Sequence, residues 1–273
     1  GLTEEIPERV DHAGAVVVAL DEVATRAAAE RLREKGVESV AICYLFSFLN
    51  TAHEERSAAI VSEVMPNCRV SLSSRVLPVI REYPRLSTTV IDAYVGPIVE
   101  RYLPRLGDKL AVRGVATPQL FLMQSNGGLM RLAAGARFPN QTLMSGLAAG
   151  AIAGSYLSRL RSEDHVLSFD MGGTSTDISV IVEGRVRETS DGRIAGQDLG
   201  TPMLKVRTLG AGGGTLAWIG KDGRLKVGPQ SAGADPGPAC YARGGERPTV
   251  TDANLVLGAL GEADIGHFFP NTD

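Results

Sequence analysis

Near the middle of the chain, Asp170-Met-Gly-Gly-Thr-Ser-Thr-Asp177 gathers residue types that together can hold phosphate. Gly172 and Gly173 lack the Cβ atoms that would keep phosphate oxygens away from backbone N–H donors. Thr174 and Thr176 add hydroxyls, and Asp170 and Asp177 bring a carboxylate to each arm of the same turn. Two carboxylates beside phosphate repel unless a cation lies between them. A Mg²⁺ ion held by Asp170 through retained water satisfies that requirement. Asp170 and Asp177 are therefore the candidate catalytic carboxylates, and Gly172, Gly173, Thr174 and Thr176 the candidate phosphate ligands. The bland alternative is a Gly-Gly hairpin with two surface aspartates. The apolar run before Asp170, and both threonines at this spacing, favour the phosphate reading. The strand-to-helix contexts that a Walker loop or a dinucleotide fingerprint requires are absent.

Composition removes other classes. A net charge of −3 leaves no footprint for nucleic acid or an anionic membrane. No apolar run nears the roughly 20 residues of a membrane span, and no signal-peptide pattern opens the chain. Cys43, Cys68 and Cys240 form no CxxC pair, which argues against a disulfide scaffold and suits the cytoplasm. The chain opens on Gly1 and stops at Pro270-Asn-Thr-Asp273 without a closing element, as an internal piece of a longer polypeptide would.

The elements that must carry the loop follow from pattern. Residues 15–20 read as a buried strand. A helix capped by Asp21 and stopped at Lys35-Gly36 would turn Val23, Ala24, Ala27, Ala28 and Leu32 inward. A second strand spans 39–46, and Thr51-Ala-His-Glu54 reads as a capping box opening a helix that buries Ala58, Val61 and Met65. A third strand covers 69–72, so the order β-α-β-α-β predicts parallel pairing. From Ser87, apolar residues at Val90, Ile91, Tyr94, Val95, Ile98, Tyr102 and Leu103 predict a long helix, kinked or divided at Gly96-Pro97. The polar stretch 107–117 suggests a boundary, giving an α/β portion over 1–115 and a second domain over 116–273.

In the second half, a strand over 119–124 runs into Ser125-Asn-Gly-Gly128. A small-residue helix follows over about 146–160; close packing explains it, and an anion at Ser145-Gly146 is the alternative. Strands 166–170 and 177–182 flank the Gly-Gly turn, and Gly184 precedes another strand. Gly-rich turns then lie at 210–215 and 233–245.

The octapeptide resembles the phosphate loops of the actin, sugar-kinase and heat-shock-chaperone ATPases, whose fold is α/β and ribonuclease H-like. A narrower resemblance rests on Phe169–Asp177 together with Met123-Gln-Ser-Asn-Gly-Gly-Leu-Met130, Leu209-Gly-Ala-Gly-Gly-Gly-Thr215, Gly233-Ala-Asp-Pro-Gly-Pro-Ala-Cys-Tyr241 and Pro248-Thr-Val-Thr-Asp-Ala-Asn-Leu-Val-Leu-Gly258, with Ser71–Ser74 and Ser87–Thr89 upstream. In this order they are similar to the hydantoinase A/oxoprolinase family, over nearly the whole chain. The resemblance implies ATP and Mg²⁺ as cofactors, a hydantoinase B-type partner subunit or fused domain, and a cyclic amide or ketone as substrate. It implies that ATP phosphorylates the substrate's carbonyl or enolate oxygen before ring opening or carboxylation. A sugar-kinase-like phosphotransferase and a non-catalytic ATPase switch are the alternatives. Two departures stand out. The family's additional Asp-x-Gly-Gly-Thr loop near the N-terminus has no counterpart before residue 170, and Leu147 replaces its usual proline.

Other residues carry open readings. Gly212, Gly213 and Gly214 either approach the ligand or make a tight connection. Asp235–Tyr241 is a substrate-side or a structural loop. Cys240 has no histidine near it in sequence to activate it as a nucleophile. His12, His53, His165 and His267 show no metal spacing and read as surface or cap residues, and Asp252 reads as a helix cap.

Overall fold

A computed structural model describes residues 1–115, 117–261, 263 and 265; His267 and the closing 270–273 lie outside the described residues. The architecture is mixed α/β, and the chain divides into two compact units, Gly1–Ala149 with Glu188–Leu204, and Gly150–Arg187 with Lys205–Asp273. Where the polar stretch from Gly107 suggested a break, the helix continues to Val112.

In the first unit, strands Ser39–Ile42 and Arg69–Leu72 pair in parallel, in register Ser39 to Arg69 and Ile42 to Leu72. Helices Glu22–Glu34 and Ala52–Val64 cover one face, packing Ala29, Leu32, Val61, Val64 and Met65 against Ile42 and Leu72. Strand alternation turns Arg69 and Ser71 to the opposite face. There Asp92, of helix Glu82–Val112, accepts from the Ser71 hydroxyl at 2.7 Å and pairs with Arg69 at 3.0 Å.

That polar face explains a reversal. The long helix buries Arg85, Ser87, Thr88, Thr89, Asp92, Ala93 and Gly96, and of the apolar stripe Leu103, while Val90, Tyr94, Ile98 and Tyr102 are exposed. Helical spacing identified the apolar stripe correctly but could not say that the sheet would take the other side. The helix also runs unbroken through Gly96-Pro97. Gly96 leaves the space where the Arg69 side chain lies, since a Cβ there would collide with the guanidinium.

Three other expectations change. Val16–Val18 is exposed and pairs antiparallel with Arg9–Val10, outside the parallel sheet. Asp21 caps its helix through the Ala24 N–H at 2.8 Å, yet Val23 points to solvent. Thr51 makes no side-chain cap. Glu54 is instead fully buried, accepting from the Ser73 hydroxyl at 2.5 Å and from the Ser74 and Tyr44 N–H groups at 2.9 and 3.1 Å.

The second unit is built on an antiparallel sheet in the order Val206–Leu209, Thr176–Val182, His165–Met171, with Arg185–Val186 also paired to Thr176–Val182. Helix Ser145–Arg161 enters this unit at Gly150. A Cβ at Gly154 would sit 2.8 Å from Ile181 Cδ1 and 3.1 Å from Ser168 Cβ, so close packing accounts for its small residues here. A hairpin, Thr215–Ile219 with Leu225–Ser231, and a capped helix, Val250–Val256, complete the unit.

Candidate functional site

The hairpin places Asp170 directly across from Asp177, and Met171 across from Thr176. Directly opposed like charges destabilise a strand pair, so the arrangement favours a cation at this end. The turn closes with Gly172 N–H donating to Ser175 O at 2.8 Å. The carbonyls of Gly172 and Gly173 then accept from Gly213 and Gly214 N–H at 2.9 and 2.6 Å. Thus the second Gly-rich turn ties down one side of the loop. No described residue accepts from the N–H groups of Gly173, Thr174 or Ser175. An exposed loop with its carbonyls bonded and successive N–H groups unused is complementary to an anion.

The glycines sort by the same test. A Cβ on Gly173 would meet nothing within 4 Å, and neither Gly172 nor Gly173 has a left-handed backbone. The fold therefore does not demand glycine at 173. A Cβ on Gly212 would lie 2.7 Å from Gly172 O and Ser175 N, and one on Gly214 would lie 3.0 Å from Gly173 O. One on Gly213 would lie 2.5 Å from Thr251 Oγ1. For these three glycines, backbone packing against the loop and against helix Val250–Val256 is sufficient reason for the residue type.

The candidate hydroxyls and carboxylates also separate. Thr176 is buried and its hydroxyl donates to Ala211 O at 2.5 Å, so it fastens the two loops together. Thr174 is exposed on the open side. Asp177 is half-buried and accepts from the Thr208 hydroxyl at 2.6 Å. Asp170 is exposed, with no side-chain partner among the described residues; a Cβ on Gly150 would lie 3.4 Å from its Oδ2. No group of three His, Cys, Asp or Glu residues suited to a metal occurs among the described residues. A cage made wholly of protein is thus not on offer, whereas an unpartnered carboxylate beside unused N–H donors fits water-mediated Mg²⁺.

The loop that contains Asp235–Tyr241 is anchored to the helix behind it. Asp252 accepts from the N–H groups of Cys240 at 2.8 Å and Thr249 at 2.8 Å, the latter as one half of a capping box in which Thr249 is the cap. Asp252 is therefore the third residue of the helix rather than its cap. Burial raises its carboxyl, but hydrogen bonds from Cys240 and Thr249 outweigh this and hold it below the usual range. Burial and then Asp252 push the Cys240 thiol up to about 11, which keeps it protonated at neutral pH and unsuited to nucleophilic attack. His12 and His165 are exposed as expected. His53 is buried and its Nδ1 lies 2.8 Å from Glu8, an internal pair that helical position alone did not signal. A cavity of about 1090 Å³ lies beside strand Arg69–Leu72, and none of the candidate phosphate residues lines it.

Residues 85–271 match the family model described as Hydantoinase/oxoprolinase, and residues 2–65 match its N-terminal region. The chain belongs to the hydantoinase/oxoprolinase family. It is 41% identical over 264 residues to the caprolactamase subunit alpha of Pseudomonas jessenii, covering 97% of this chain and 38% of that one. It is 38% identical over 255 residues to the 5-oxoprolinase of Saccharomyces cerevisiae, covering 92% of this chain and 19% of the relative. Among solved structures, nucleotide-free acetone carboxylase aligns with a TM-score of 0.78 at 29% identity, over 94% of this chain and 36% of that chain. The P. jessenii ATP-dependent caprolactamase aligns with a TM-score of 0.74 at 40% identity, over 94% and 37%. The fold is thus the α/β, actin-like ATPase type expected for the family. The chain spans a little over a third of the length of these two solved chains. Among the described residues, no helix is long and apolar enough to cross a membrane.

Proposed function

We propose that this chain carries a nucleotide-phosphate site of an ATP-dependent enzyme that opens cyclic amides, acting in the cytoplasm with a hydantoinase B-type partner subunit or domain. One observation carries the reading: the Gly172 and Gly173 carbonyls are bonded to the second Gly-rich turn, leaving the successive N–H donors of the exposed residues Gly173 and Thr174 unused beside an unpartnered Asp170. The names of the caprolactamase and 5-oxoprolinase relatives support the substrate class, and "subunit alpha" supports a partner. The similarity to acetone carboxylase supports a second reading, in which the activated group is a ketone oxygen.

An amide is a poor electrophile, and ATP supplies the phosphoryl group that turns its oxygen into a leaving group. The residues of this chain bind and orient. The N–H groups of Gly173 and Thr174, with the Thr174 hydroxyl, would hold phosphate oxygens; Asp170 would hold Mg²⁺ through water. Thr176, Gly212, Gly213 and Gly214 keep the loop in shape, and Thr208 steadies Asp177. Catalysis of this kind is mostly positioning and charge stabilisation around the transferred group.

The test is ADP release by the complete protein, with any partner subunit, in the presence of hydantoins, lactams, 5-oxoproline or ketones. Ring opening coupled to ADP release, lost in Asp170→Ala, is the expected result. Phosphorylation of a sugar, or hydrolysis indifferent to every small molecule, would overturn the proposal.

A further inference from the structure

The Gln124-Ser-Asn-Gly-Gly128 motif takes no part in the phosphate site, yet the first unit builds something definite around it. Strands Phe121–Met123 and Leu129–Arg131 form a hairpin whose turn is this motif. Ser125, buried at the turn, fastens it to two other segments. Its N–H and hydroxyl donate to Gln141 O at 2.7 and 2.9 Å, its carbonyl accepts from Leu204 N–H at 2.8 Å, and its hydroxyl accepts from Met144 N–H at 3.1 Å. Asn140 adds a second tie, donating to the Thr201 hydroxyl at 2.9 Å.

These ties bring Gln124, Asn126, Gln141, Thr201 and Pro202 around a cavity of about 90 Å³. None of these groups is charged, so the lining does not suit phosphate or carboxylate. Its hydrogen-bonding capacity is only half used. Gln124 Nε2 donates to Gln141 Oε1 at 2.8 Å, which leaves Gln124 Oε1 as an acceptor and Gln141 Nε2 as a donor. Asn126 Oδ1 accepts from Gly128 N–H at 3.0 Å, which leaves its Nδ2 as a second donor. The Thr201 hydroxyl, accepting from Asn140, has its proton to give. Three donors and one acceptor, all neutral, match a group that offers a carbonyl oxygen and an N–H side by side.

We propose that Gln124, Asn126, Gln141 and Thr201 form a subsite for a neutral secondary amide, the reacting group of a lactam or hydantoin. The volume is about three waters' share of liquid, room for the amide and its flanking atoms rather than for a cofactor. The donors take the carbonyl oxygen and Gln124 Oε1 takes the N–H. This rests on the reading that the protein acts on cyclic amides, and it assigns the recognition of that amide to residues outside the phosphate loop. A site that hydrogen-bonds an N–H discriminates strongly against an analogue lacking it, because its acceptor is left unpaired.

Two substitutions remove outward donors while keeping the internal bonds. Asn126→Asp retains the acceptor for Gly128, and Gln141→Glu retains the acceptor for Gln124. Binding of 2-pyrrolidinone to the complete protein without nucleotide is measured by calorimetry, with cyclopentanone as the analogue lacking the N–H. Each variant is expected to keep its melting temperature and bind 2-pyrrolidinone at least ten-fold more weakly, and cyclopentanone to bind wild type at least ten-fold more weakly. Wild-type affinity in both variants, or equal affinity for the ketone, would overturn the subsite. ADP binding is titrated on the same samples. Failure of wild type to bind ADP would count against the phosphate-loop proposal and leave the amide result standing.

Discussion

Alanine at Gly212 and alanine at Gly173 add the same methyl group to two hydrogen-bonded loops, and the structure predicts opposite consequences. At Gly212 the Cβ meets Gly172 O and Ser175 N at 2.7 Å and Thr174 C at 2.8 Å. All three are backbone atoms, so no side chain can swing aside, and overpacking of this kind costs about 1–3 kcal/mol. Separating the loops also weakens the bonds from Gly213 to Gly172 and from Gly214 to Gly173, each contributing about 0.5–1.5 kcal/mol. The reduced freedom of the unfolded chain returns about 0.4–1 kcal/mol. The net loss is roughly 1.5–5 kcal/mol, a melting-temperature drop of roughly 3–20 °C at about 2–4 °C per kcal/mol. At Gly173 the methyl enters open space on an unstrained backbone, so stability holds or rises by up to about 1 kcal/mol. Its effect falls on the ligand. Displacing phosphate from one charge-assisted N–H bond costs about 1.5–3 kcal/mol, on the order of 10- to 100-fold in affinity. Thermal unfolding and ADP titration of the complete protein separate the two. If Gly173→Ala melts as low as Gly212→Ala, or binds ADP like wild type, the division of the glycines into ligand-facing and packing-facing sets is wrong.

Thr176→Val should lower stability by about 1–3 kcal/mol by leaving Ala211 O without its donor, while Thr176→Ser stays near wild type in urea unfolding. Asp252→Ala should cost about 1 kcal/mol at neutral pH by undoing the capping box. Because the folded carboxyl is depressed, its contribution is present above the unfolded value of about 3.9 and lost as pH falls through the lower folded value. The gap between variant and wild type should therefore close in acid; a gap unchanged from pH 7 down to pH 2 would contradict this. With its thiol near 11 rather than the ordinary 9.0, Cys240 should react with iodoacetamide at pH 8 about 100-fold more slowly than an unperturbed thiol, at tenfold per unit of thiolate population. Peptide-resolved mass spectrometry measures this, and Asp252→Asn should speed the reaction.

What the sequence made legible was contiguous chemistry. Asp170, Gly172, Gly173 and Thr174 lie within one hairpin turn, so residue type and spacing were enough to propose them together. Strand alternation also put Thr176 and Asp177 on opposite faces, but only the structure shows that Thr176 turns to Ala211 while Thr174 stays exposed. The roles of Gly212, Gly213 and Gly214 were not, since they depend on which turn, some 40 residues away, they lie against. The long helix shows the same limit in packing. Period 3.6 groups Val90, Tyr94 and Ile98 on one face, but a stripe of Ser, Thr and Asp on the opposite face is equally coherent, and the sheet, presenting Arg69 and Ser71, selected it. Periodicity reports that a helix has two faces; only the chemistry of the surface it meets decides which is buried. The same reasoning bears on the site. The proposed phosphate loop is exposed at its tip but tied on its other side by Gly213, Gly214 and Thr176, so its shape is set without a ligand. Preorganised donors of this kind need little rearrangement on binding, which is why substitutions in the supporting turn should register in stability and those at the loop tip in affinity.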